Sequence, residues 1–129
     1  MPVIFKCPAE HGTIDGVMEL DADVLTIEFE KQRIFRQPEV VQVEIPIDDI
    51  DFAEYKHWIF GGRLKIRTLY LGSAQHIPWR KSLNVDFSIS RQEREAAIDL
   101  ASRIEEAIDA QQHRSDQPSP DRDDLSKGQ

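Results

Sequence analysis

Apolar and polar positions alternate through most of the first two thirds of the chain. Between Val24 and Glu30 the sequence sets Leu25, Ile27 and Phe29 against Thr26, Glu28 and Glu30. A period of two sends successive side chains to opposite sides of an extended backbone, so this segment reads as a strand with one buried face. The pattern recurs in residues 13–20, in Val41, Val43 and Ile45, in residues 50–60 and 63–71, and in Leu83, Val85, Phe87 and Ile89. A short extended piece near 74–79 brings the expected strands in residues 12–89 to seven. Asp21-Ala22-Asp23, the charged stretch 31–38, Pro46 to Asp49, Gly61-Gly62 and Gly72-Ser73 separate them with turn-forming residues.

The period then changes. Ala97, Leu100, Ala101, Ile104 and Ile108 recur at helical spacing, while Arg94, Glu95, Asp99, Glu105, Glu106 and Asp109 fall on the other side. Neither Pro nor Gly occurs from 91 to 111. Ser90 with Glu93 three residues on forms a capping-box pattern, in which hydroxyl and carboxylate satisfy the free amides of the first turn. One amphipathic helix over 91–110 follows. Residues 112–129 hold Leu125 as their only large apolar side chain, too little to offset the entropy of ordering them, and read as a disordered tail. Residues 1–11 read as an N-terminal arm that packs Val3 and Phe5 on the sheet. The domain proper is then 12–111.

The chain has 129 residues, is 40% hydrophobic and 31% charged, and so has the composition of one small folded domain. No apolar run is long enough to cross a bilayer, and residues 1–5 lack the basic start of a secretory leader. A single cysteine, Cys7, cannot close an internal disulfide, which fits the cytoplasm. The net charge of −8 disfavours long-range attraction to nucleic acid, yet residues 56–85 contain Lys56, Arg63, Lys65, Arg67, Arg80 and Lys81 and no acid. That basic segment either neutralises the acidic strands around it or holds an acidic partner.

The order of elements, seven antiparallel strands and then one amphipathic helix, resembles the bacterial pleckstrin-homology-like (PH-like) domains. The resemblance rests on Gly12 to Glu30 as a first hairpin, on Ile45-Pro46-Ile47-Asp48-Asp49-Ile50, and on Phe87 to Ile108. It implies a partly open antiparallel barrel or sandwich plugged by the C-terminal helix, and a role as an interaction module without catalysis or cofactor. Phosphoinositide-binding members carry basic residues around their first hairpin loop. Leu20-Asp21-Ala22-Asp23, taken as that loop, is acidic, so a phosphoinositide site is not carried over.

Gly61-Gly62 supplies the conformational freedom of a two-residue hairpin turn. A turn there places Phe60 opposite Arg63, Trp58 opposite Lys65 and Lys56 opposite Arg67, with Ile59, His57 and Tyr55 facing Leu64, Ile66 and Thr68 on the inward side. Lys56, Trp58, Phe60, Arg63, Lys65 and Arg67 are therefore the candidate binding face, a ladder of cations and aromatic rings. It suits an acidic protein partner or a second copy of this acidic chain; the alternatives are a small anionic ligand or single-stranded nucleic acid. The plainer account is that Trp58 packs along the Lys65 and Arg67 stems. Trp79-Arg80-Lys81 reads as a loop anchor or an extension of the same face.

An inward His57 beside Tyr55 permits a small enzyme, but a histidine on an apolar face is more often a core residue. No serine or cysteine sits in a nucleophile elbow, so no catalytic residue is assigned. Cys7 and His11 form one close ligand pair without a second, and Asp48, Asp49 and Asp51 lack the spacing of a calcium loop, so no metal site is assigned.

Overall fold

A computed structural model describes residues 2–9, 12–31 and 37–116. Among these residues the strands are β1 (Val3–Ala9), β2 (Gly12–Asp21), β3 (Val24–Lys31), β4 (Glu39–Pro46), β5 (Ile50–Trp58), β6 (Gly61–Thr68) and β7 (Asn84–Ser90). They form one antiparallel sheet in the order β4-β3-β2-β1-β7-β6-β5, followed by a single helix, α1 (Arg94–Asp116). The fold is mainly β in an α+β arrangement.

Period-two alternation sorts the side chains as the sequence implies. Leu25, Ile27, Phe29, Val43, Ile45, Leu64, Ile66, Val85, Phe87 and Ile89 are all buried, and Ala97, Leu100, Ala101, Ile104 and Ile108 of α1 cover them. The helix lies chiefly on β5.

The membership of the sheet differs from expectation in two places. Residues 3–9 are not an arm but β1, the middle strand, paired with β2 from Val3↔Met18 to Ala9↔Gly12 and with β7 at Lys6↔Ser88. Val3, Phe5 and Cys7 are buried there; exposed Ile4 masked the alternation that gives this away. In return, 74–79 is no strand. A 3₁₀ turn, Leu71–Ala74, runs into loop, and the segment buries Ala74 and Ile77. Trp79 lies 4.9 Å from the Phe29 ring, 5.7 Å from Phe5 and 5.9 Å from Phe87, anchoring the loop over the core. With β1 in the sheet, the first hairpin is β1–β2, paired as far as Ala9↔Gly12. The acidic turn Asp21–Val24 closes the second hairpin, with Ala22 in the left-handed region at φ 55°.

The helix also differs at both ends. Ser90 makes no side-chain cap; Glu93 instead accepts a hydrogen bond from the backbone N–H of Ile4 at 3.0 Å, tying the 3₁₀ turn Arg91–Glu93 to β1. At its other end α1 continues through residues 112–116, the start of the stretch read as a tail, and 117–129 lie outside the described residues.

Candidate functional site

The β5–β6 hairpin pairs Trp58 with Gly61, His57 with Gly62, Lys56 with Arg63, Tyr55 with Leu64, Glu54 with Lys65 and Phe52 with Arg67. The turn is therefore Ile59-Phe60, two residues earlier than a Gly61-Gly62 turn, and each cross-strand partner differs by four positions from the register that turn implies. Neither turn residue has positive φ, so this is not a primed turn. The glycines serve close packing instead. A Cβ on Gly61 would sit 2.8 Å from the carbonyl oxygen of Ile89; one on Gly62 would strike the Tyr55 hydroxyl and lie 2.8 Å from the Lys56 carbonyl oxygen.

A four-residue change of register exchanges partners but keeps faces, because the side-chain period is two and the change is even. Lys56, Trp58, Arg63, Lys65 and Arg67 thus share the outer face. Phe60 leaves the ladder for the turn, where it is 85% exposed; Ile59, expected inside, is 75% exposed, and Trp58 is 51% exposed. Three consecutive large apolar side chains project from one hairpin tip.

Behind the tip the outer face is layered. Across the sheet, Lys6, Ser88, Arg63 and Lys56 occupy one row. Arg63 and Lys56 stand directly opposite, a like-charge pair that disfavours itself unless an anion is near. Arg63 lies 6.0 Å from the Trp58 ring, and Lys56 reaches back to Glu54 at 3.1 Å. The next row holds Asp86, Lys65 and Glu54, and Arg67 lies 3.6 Å from Asp51. Arg67 is half-buried and paired with Asp51, and half-buried Lys65 stands in register between Asp86 and Glu54, so both belong to the sheet's own charge balance. Lys56, Trp58, Phe60 and Arg63 form the exposed part of the candidate face. Ile59 joins them, as does Arg94, whose guanidinium donates to the Trp58 carbonyl oxygen at 2.7 Å.

Beside the tip an open cleft of about 590 Å³ runs between β5 and α1, walled by Tyr55, His57, Ile98, Ala101, Glu54 and Glu105. His57 is exposed in this cleft rather than turned into the core, and its ring stacks on Tyr55 at 6.1 Å. It makes no hydrogen bond among the described residues, so no acid–base dyad is assembled on it. Glu105 accepts a hydrogen bond from the Ala53 N–H on the outer edge of β5, protecting part of an edge strand. Partial burial raises the Glu105 carboxyl above its ordinary range; the Ala53 bond opposes this, and Asp109, Asp51 and Glu54 add to it. Elsewhere, burial pushes the Cys7 thiol up to about 12, away from the thiolate a metal requires. No cluster of three or more His, Cys, Asp or Glu among the described residues is placed to hold a metal ion.

Comparison with family models, with curated proteins and with solved structures finds no match to this chain.

Proposed function

We propose that this chain is a PH-like, non-enzymatic interaction module that grips an acidic protein partner with the tip of its β5–β6 hairpin. Support for the PH-like reading is topological: β4 and β5, the two ends of the sheet, are joined by only the 3₁₀ turn Ile47–Asp49, and the C-terminal helix covers the apolar side. No helix among the described residues is long and apolar enough to cross a membrane. A buried, protonated Cys7 fits the reducing cytoplasm.

One observation carries the binding reading: Trp58, Ile59 and Phe60 stand exposed in sequence beside Arg63, which has no ion-pair partner among the described residues and faces Lys56, itself paired only with Glu54 on its own strand. Aromatic rings and arginine supply much of the energy of protein interfaces, and a large apolar group left in water is otherwise unfavourable. The test is a titration with an aspartate- and glutamate-rich peptide, followed by the fluorescence of Trp58. Binding should blue-shift the emission, weaken steeply with salt, and fall at least tenfold in Lys56→Glu/Arg63→Glu. Equal affinity in parent and variant would remove the tip from consideration. Stronger, salt-dependent binding of a single-stranded oligonucleotide than of the peptide would transfer the face to the nucleic-acid reading.

A further inference from the structure

The tip and the cleft adjoin on one strand and are opposite in charge. The cleft ends at His57; the tip begins at Trp58. The cleft has an apolar floor in Ala53, Ala101 and Ile98, the last 43% exposed, and an acidic rim of Glu54, Glu105 and Glu106, with Asp51 and Asp109 close behind. The tip has apolar Ile59 and Phe60 at its end and cationic Lys56, Arg63 and Arg94 at its base, with Arg91 exposed at the adjoining helix start. Within one molecule the tip cannot fold back into the cleft, because both are built on the same strand, β5.

We infer that the partner of the tip is a second copy of this chain, each copy seating Ile59-Phe60 in the β5–α1 cleft of the other about a twofold axis. The inference rests on the tip being an interaction surface and adds its receptor. Three features support a copy over an unrelated protein. Knob and hole lie side by side, so a single twofold operation fills both clefts and closes the assembly at two chains. Their charges match: the guanidinium of Arg63 enters a rim where Glu105 is crowded by other carboxylates. Their apolar parts match as well, aliphatic and aromatic ends against an alanine-floored cleft flanked by Ile98.

Sedimentation of the full chain over a wide concentration series tests this. The parent should move from monomer to dimer, and high salt should shift the transition to higher concentration. Arg63→Glu and Glu105→Lys should each give monomers at concentrations where the parent is dimeric. Mixed in equal amounts they should dimerise again, since the substituted carboxylate of one then meets the substituted ammonium of the other, and the native pair remains at the second contact. Phe60→Ser, at an exposed position where folding is not at stake, should also be monomeric, with circular dichroism confirming its fold. A parent that stays monomeric at every concentration overturns the inference. So does a dimer indifferent to both the tip and the cleft substitutions. A monomeric parent that still binds the acidic peptide discards the second copy and leaves the tip as an interaction surface. A monomeric parent that instead co-sediments with phosphatidylserine vesicles hands the tip to a lipid surface.

Discussion

The guanidinium of Arg94, in the first turn of α1, donates to the backbone carbonyl oxygen of Trp58 at 2.7 Å. That bond links the exposed apolar turn of the β5–β6 hairpin to the helix that covers the core, and it holds the tip in place without burying it. Replacing Arg94 by Ala should leave the core intact and loosen the tip. A charge-assisted bond in a partly exposed setting contributes about 1 kcal/mol, so global stability should fall by roughly that amount. Amide exchange at Ile59, Phe60 and Gly61 should accelerate more than at Leu64 or Ile66. Uniform acceleration along β6 would show that Arg94 supports the sheet rather than the tip.

Gly62 lies beneath the Tyr55 ring, and a methyl group there would strike the phenol and crowd the Lys56 carbonyl oxygen at 2.8 Å. The neighbour opposing it is partly backbone, which yields little. Gly62→Ala should cost about 1–3 kcal/mol, measured by chemical unfolding. Pairing it with Tyr55→Ala should recover part of that loss, because the ring is then gone and only the backbone approach remains. A fully additive double variant would mean that the ring is not what the glycine accommodates.

Those glycines also show where the sequence was readable and where it was not. Faces were legible: alternation alone put Lys56, Trp58, Arg63, Lys65 and Arg67 outside and Leu64 and Ile66 inside, and a four-residue slip, being even, preserves that division. Partners were not. Gly61-Gly62 looks like a turn, yet both are demanded by Tyr55 and by Ile89 on the neighbouring strand, contacts that exist only once the sheet has formed. The same limit hid β1, whose outward Ile4 broke the pattern, and misread the Ser90/Glu93 cap, because Glu93 spends its carboxylate on Ile4, far away in the chain. The helix face was readable from its spacing. The cleft was not, since its walls join β5 to side chains of α1 that nothing local connects.

Cys7 is buried, and its Sγ donates to the Asp86 carbonyl oxygen at 3.5 Å. Burial raises its pKa from 9.0 to about 12; a backbone hydrogen bond from Ser88 opposes the rise and the Asp86 carboxylate reinforces it. The unfolded chain therefore loses this proton before the folded one. Below pH 9.0 both states keep it and the group is neutral to stability. As pH climbs from 9.0 to about 12 the unfolded state is increasingly favoured, and stability falls. Compared with the parent, Cys7→Ala should lose less stability across that interval, whatever its constant packing cost. At pH 8 the folded parent should resist iodoacetamide and react only as fast as it opens. Rapid labelling without unfolding would contradict the buried thiol.

Glu105 yields the complementary test on a carboxyl group. Burial, then the carboxylates of Asp109, Asp51 and Glu54, raise its folded-state pKa, against the Ala53 N–H that favours the ionised form. Folded protein thus holds this proton to a higher pH than the unfolded chain does. Below the ordinary glutamate range both states are protonated and nothing is lost. As pH rises through that range and through the raised folded value, the folded state alone carries a disfavoured charge, and stability declines. Glu105→Gln keeps an oxygen for the Ala53 amide but cannot ionise. The stability of this variant relative to the parent should therefore increase with pH through that window and level off above it. Unfolding in denaturant at a series of pH values, at concentrations low enough to hold the chain monomeric, measures the difference. A difference that stays flat, or that shrinks as pH rises, would mean that the Ala53 bond outweighs burial and the neighbouring carboxylates. The acidic rim of the cleft would then not be short of a cation.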